Sequence, residues 1–242
     1  MRALHLIPLL CILYISSFSE TMAENTIDIY YFPMSPPARS ALMTMKVLGL
    51  KYNIKTVNIP EGEQMNPDFI KINPLHQIPV INDGGFILSD SVAILKYLVD
   101  SYAKDDSLFP KDPKTGAITL QRMLFISTYM FPRMGDYMAG VIFHGGADDP
   151  EKAKKLEEAI SHLNNYIGDN HWVAGDKMTV ADIIAIANVA TVDASGVYDL
   201  KAYPNLWQWY ERTKEALSSA GYEEVIQKGA EMFGQAFKSA LH

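Results

Sequence analysis

Hydrophobic periodicity changes character once along this chain, near residue 103. Before that point, short β-branched and aromatic runs alternate with helical segments; after it, every periodic segment is helical. Ile27–Phe32 reads as a buried strand, Pro37–Leu48 as a helix closed by Gly49, and Tyr52–Val57 as a second strand. Pro67–Ile72 follows as a helical turn, and Ile78–Ile81 and Gly85–Leu88 as two strands around the turn Asn82-Asp83-Gly84. Ser91–Tyr102 places Ile94, Leu95, Leu98, Val99 and Tyr102 on one helical face. The order β-α-β-α-β-β-α predicts a small α/β domain over residues 24–102. Residues 103–117, polar and holding Pro110 and Pro113, read as a linker. Residues 118–242 then form an all-α domain, with helices near 119–143, 150–168, 179–194, 204–219 and 222–238. Thr179 and Asp182 make a capping box before the third of these, a folding device rather than a chemical one.

Composition narrows the function classes. The chain has 242 residues, 48% of them hydrophobic, so it buries a sizeable core and is neither disordered nor of low complexity. Its formal net charge is -7, and no Lys/Arg cluster stands out, which argues against a nucleic-acid partner. The single cysteine, Cys11, lies in an apolar N-terminal run. The rest of the chain therefore has no disulfide, thiolate metal ligand or cysteine nucleophile. None of the six histidines pair at metal-binding spacing, the closest being His162 and His171, so no metal is expected.

Residues 1–23 have the pattern of a signal peptide. Arg2 gives a positive start, Leu6–Phe18 is a 13-residue apolar run too short to span a bilayer, and Thr21 and Ala23 suit a cut after Ala23. Loss of this segment removes Arg2 and Glu20 together and leaves the net charge unchanged. The expected location is the secretory pathway. A retained anchor stays open, as does a start at Met22, which would make the protein cytoplasmic.

Three pieces of the first domain belong together: Tyr30-Tyr31-Phe32-Pro33-Met34-Ser35-Pro36-Pro37-Ala38-Arg39, Asn73-Pro74-Leu75-His76-Gln77-Ile78-Pro79-Val80, and Leu88-Ser89-Asp90-Ser91. With the helical half, the capping box and the YPNLWQWY stretch at Tyr203–Tyr210, the chain resembles the cytosolic glutathione transferases over essentially all of residues 26–238. The serine in the first turn, GEQM and NPLHQIP are similar to the insect delta and epsilon classes. The resemblance implies a thioredoxin-like domain that binds glutathione, a helical domain that receives an electrophile, and a homodimer.

The residues support this physically. Ile-Pro is one of the few pairs in which a cis bond is inexpensive. A cis Ile78–Pro79 would turn the Ile78 backbone out to pair, strand-like, with an extended peptide. Asp90 and Ser91 open a helix, where free N–H groups and the positive dipole end attract a carboxylate. The resemblance gives Ser91 the γ-glutamyl carboxylate, Asp90 the γ-glutamyl amine and His76 the glycyl end. Ser35, followed by two prolines, is a good N-cap. The resemblance implies in addition that its hydroxyl donates to the glutathione sulfur. A thiol near pKa 8.5 is mostly protonated at neutral pH, and depressing it by about two units takes about 2.7 kcal/mol of preference for the thiolate. One charge-assisted hydrogen bond and a helix end suffice. Tyr30 or Tyr31 would be the alternative hydroxyl, although strand alternation sends them to opposite faces. Arg39 reads as a structural ion-pair partner near the site.

Some positions depart from the serine-class pattern. Gln64, counted among the glutathione residues, stands where a histidine is common; Val92 replaces an arginine or histidine; Met34 replaces a frequent glycine. For the second substrate, the first long helix supplies Met130, Met134, Asp136 and Tyr137, and the last helix Phe233, as an adaptable apolar pocket. Pro132 should kink that helix. The expected activity is conjugation of glutathione, as co-substrate, to small apolar electrophiles. The alternatives are a binding or scavenging protein with weak catalysis, and a glutathione-dependent isomerase or peroxidase using the same site.

Overall fold

A computed structural model describes residues 26–145 and 147–241. The expected signal peptide lies outside them. The first domain comprises β1 (Ile27–Tyr31), α1 (Pro36–Val47), β2 (Tyr52–Thr56), α2 (Pro67–Ile72), β3 (Val80–Asp83), β4 (Phe86–Ser89) and α3 (Ser91–Tyr102). The sheet order is β2-β1-β3-β4, with β1 and β2 parallel and the other pairs antiparallel. This is a thioredoxin-like layer. Alternation along β1 sets its two faces: Ile27, Ile29 and Tyr31 belong to the main core, while Tyr30 turns the other way and meets Phe69 of α2 edge-on.

The third strand begins two residues later than the sequence suggests. Ile78 and Pro79 belong to the preceding loop, and the ladder opens at Val80, paired with Tyr30 and Ser89. The hairpin turns at Gly84 and Gly85, both at positive φ, where the Asn82 side chain accepts the Gly85 N–H at 2.8 Å.

Only 103–112 connects the domains. Residues 113–117, expected as linker, are the first turns of a helix, because Asp112 caps it by accepting the Thr115 N–H at 2.9 Å and Pro113 fits its first position. This helix, α4, runs through 113–144 and contains two wide, five-residue turns, Ile126–Met130 and Gly135–Ala139, on either side of Pro132. The remaining helices are α5 (Pro150–Ile167), α6 (Val180–Ser195), α7 (Pro204–Ser218) and α8, which runs through 223–240. Among the described residues no helix is long and apolar enough to cross a membrane.

Helix α6 is buried on nearly every side, as its unbroken apolar run requires, and α1, α4 and α8 all pack on it. Its start is the expected capping box, with Thr179 and Asp182 satisfying each other's ends. Arg39 joins the two domains from α1. Its guanidinium is fully buried and donates to the Ile226 carbonyl at 2.7 Å and to the Thr191 hydroxyl of α6. Among the described residues it forms no ion pair, contrary to expectation: its partners are neutral oxygens, and burial lowers its pKa to about 10. Gly229 completes this joint. A β-carbon there would lie 2.2 Å from the Pro33 carbonyl oxygen and 2.6 Å from Arg39 Cδ, so glycine alone lets α8 close on the β1–α1 turn.

Candidate active site

The β1–α1 turn, the loop before β3 and the start of α3 converge on a cavity of about 630 Å³ that extends to α4, α6 and α8. Ser35, Gln64, His76, Ile78, Pro79, Asp90 and Ser91 all line it. Each is held by local chemistry that its motif encodes.

Ser35 caps α1, its side-chain oxygen accepting the Ala38 N–H at 3.3 Å. That bond uses a lone pair and leaves the hydroxyl proton to donate. The surroundings make this proton distinctive. The Ser35 N–H is committed to the Phe32 carbonyl at 3.0 Å, Pro36 and Pro37 have no N–H, and Ala38 is already used. The mouth of α1 thus combines a positive dipole end with one hydrogen-bond donor, the Ser35 hydroxyl. Neither tyrosine competes: Tyr30 and Tyr31 do not line the cavity, and burial raises the Tyr31 hydroxyl to about 12.

The opening of α3 differs. Asp90 caps it through the Ala93 N–H at 3.0 Å, and Ser91 sits in the first turn, 6% exposed. The amides of Ser91 and Val92 are the donors that a helix start leaves over, ready for an anion. Asp90 holds φ at +73°, which costs a non-glycine residue about 1–3 kcal/mol and turns its side chain at the same corner. The loop before β3 carries a second such residue, His76 at φ +46°. Asn73 braces it, accepting the Leu75 N–H at 3.2 Å and donating to the Gln77 carbonyl at 2.8 Å. The Ile78–Pro79 bond is cis. Gln64 leaves its buried Oε1 without a partner among the described residues.

The opposite wall is apolar. Met134 and Phe233 line it as expected, but Met130, Asp136 and Tyr137 do not. Met130 is wholly buried in the core. Asp136 points to solvent and pairs with Lys152 at 3.4 Å, while Tyr137 is buried and donates to Asp148 at 2.8 Å. The lining of α4 follows Ser127, Phe131, Gly135, Ala139 and Phe143 at steps of four, the stripe one position beyond Met130, Met134 and Met138, of which only Met134 reaches the cavity. Ile184 and Asn188, from α6, also line the wall and were hidden in an apolar run that reads as pure core. Among the described residues no three metal-ligating side chains cluster.

The chain also matches known proteins. The description "Glutathione S-transferase, N-terminal domain" fits residues 25–100, and "Glutathione S-transferase, C-terminal domain" fits residues 150–212. Glutathione S-transferase D7 of Anopheles gambiae is 38% identical over 213 residues, covering 88% of this chain and 97% of that protein. The solved structure of the Bombyx mori glutathione transferase BmGSTD1 is 43% identical with a TM-score of 0.84, over 87% of this chain and 97% of that one. A delta-class enzyme of Nilaparvata lugens is 40% identical with a TM-score of 0.83, over 88% and 99%. A Drosophila mojavensis homologue, solved with bound glutathione, is 32% identical with a TM-score of 0.84, over 90% and 98%.

Proposed function

Because the chain belongs to the glutathione S-transferase family, its delta- and epsilon-like branch included, we propose that it conjugates the thiolate of glutathione, bound in this cavity, to small apolar electrophiles. The observation that carries the proposal is the Ser35 hydroxyl, the one donor at the mouth of α1, lining the same cavity as the open start of α3.

The tripeptide's γ-glutamyl carboxylate goes to Ser91 and the α3 amides, and its amine to Asp90. The Ile78 backbone takes the middle of the chain, and His76 with Gln64 takes the glycyl end. The sulfur then faces Ser35. Its proton leaves to solvent, and the thiolate is stabilised by a charge-assisted hydrogen bond and the helix end. Attack on an electrophilic carbon in the apolar lobe forms the C–S bond; the displaced group, or the π electrons of an unsaturated acceptor, takes the electron pair. Holding both partners in one cavity supplies much of the acceleration.

Retention on glutathione-agarose and turnover of a chlorodinitrobenzene-type acceptor test the proposal together. Retention with turnover is expected. Retention without turnover would instead favour a binding or scavenging protein, and loss of both would overturn the reading.

A homodimer and a secretory location belong to the same proposal, supported by family membership and by the residue 1–23 pattern respectively. Solution mass checks the first. N-terminal sequencing of the native protein checks the second: a start at residue 24 is expected, and a start at Met22 in a cytoplasmic fraction would overturn it.

A further inference from the structure

Asn188 is, with Ser127, one of two polar side chains in the acceptor wall. It stands one turn after Ile184 on α6, both lining the cavity, and is 1% exposed. Its Nδ2 donates to the Ile184 carbonyl at 2.8 Å, which fixes the orientation of the amide. The atom left over is therefore Oδ1, an acceptor, buried and without a partner among the described residues. Ile126, Phe131, Met134 and Phe233, which line the same cavity, have no donor to give it, and the Ser127 hydroxyl, also in the lining, is turned to the Leu124 carbonyl at 3.4 Å. A buried carbonyl without a donor carries the full cost of its lost hydration and calls for an explanation.

We infer that Asn188 is a specificity-determining residue of the acceptor lobe, its Oδ1 taking a hydrogen bond from a hydroxyl or N–H that an otherwise apolar acceptor carries away from its reacting carbon. The favoured class is then an apolar chain or ring with one donor. An ether or ester oxygen at the same place would set acceptor against acceptor and be disfavoured. The assignment rests on the glutathione reading above, because glutathione is what delivers the probe to the lobe.

The test uses S-(ω-hydroxyalkyl)glutathiones with tails of increasing length, each paired with its ω-methoxy counterpart, and S-methylglutathione as the tailless control. Affinities are measured by calorimetry for the full protein and for Asn188→Leu, which keeps side-chain volume and removes the amide. At one tail length the wild type should prefer hydroxyl over methoxy by about threefold to tenfold. Asn188→Leu should lose that preference while binding S-methylglutathione unchanged. Should the leucine variant not fold, Asn188→Ala gives the same comparison. Equal hydroxyl and methoxy affinities at every length, or a preference that survives in the variant, would overturn the assignment while leaving glutathione binding in place. Failure of the wild type to bind S-methylglutathione would overturn the glutathione reading itself, and this assignment with it.

Discussion

Ser35→Ala is expected to slow glutathione conjugation about five- to tenfold near pH 6.5, and to cost nothing above about pH 9. The size follows from the thiol. With its pKa held about two units below the free value, near half of the bound glutathione is thiolate at that lower pH; without the hydroxyl, about one part in a hundred is. This is a roughly fiftyfold loss of nucleophile. A more basic thiolate attacks faster, by about six- to tenfold over two units, which recovers part of it. The sign of the pH dependence is the informative part. The effect is large below the free thiol's pKa and vanishes or reverses above it, so a uniform loss across pH would point to misplacement of the substrate instead. The backbone offers little in its place, since Ser35 N–H is bonded to Phe32 and the next two residues are proline, which leaves only the Ala38 N–H, freed of its acceptor, near the sulfur. That stranded N–H should lower stability by about 1 kcal/mol. Ser35→Gly separates the two effects, because glycine caps nearly as well but carries no hydroxyl: it should match the alanine variant's pH profile with a smaller drop in melting temperature.

The largest loss of stability is expected at Asp182. Its carboxylate is buried and accepts four hydrogen bonds, from Val173 N–H, Trp209 Nε1–H and Thr179 N–H at 2.8 Å each and from the Thr179 hydroxyl at 3.2 Å. It ties the start of α6 to α7 and to the loop at Val173. Asp182→Ala strands three N–H donors in a region closed to water, each costing about 1–3 kcal/mol. With some relaxation, the variant should lose about 4 kcal/mol or more, read as a fall in the urea midpoint. Asp182→Asn keeps the shape and one acceptor, and should fall between the two. A loss below about 1 kcal/mol for the alanine variant would mean that water reaches these donors and that the joint is not dry. Because α6 also supplies Ile184 and Asn188 to the acceptor wall, the destabilised variant should lose selectivity between acceptors before it loses glutathione binding.

What the sequence displayed openly was chemistry confined to a few consecutive residues. Ser35 before two prolines, Asp90-Ser91 before an apolar run, and the Asn73–Val80 motif with its Ile78–Pro79 pair are caps and turns, set by neighbours within four positions. Those pieces lie around one cavity. The boundaries that slipped depend on longer-range geometry. Val80 opens β3 because Tyr30 and Ser89 stand opposite it, and nothing within the segment itself says so. Residues 113–117 looked like linker because their polar side chains face water, although Asp112 and Pro113 already formed a helix start. The α4 wall was the least legible. Ser127, Phe131, Gly135, Ala139 and Phe143 line the cavity at the same four-residue step that Met130, Met134 and Met138 keep one position earlier, so period alone does not tell which of two neighbouring stripes meets the cavity and which, with Met130, is buried in the core. Arg39 invites a charged partner on its charge alone, but the space around it is filled by Ile226, Thr191 and Gly229, and its two terminal nitrogens donate to the neutral oxygens of the first two.

The decisive measurement is a titration of the ultraviolet thiolate absorbance of glutathione bound to the wild type and to Ser35→Ala. The serine account predicts a midpoint near about pH 6.5 for the wild type and a return toward about 8.5 for the variant. Coincident titrations, with bound glutathione still present in both, would contradict it and assign the sulfur to some group other than the hydroxyl at the mouth of α1.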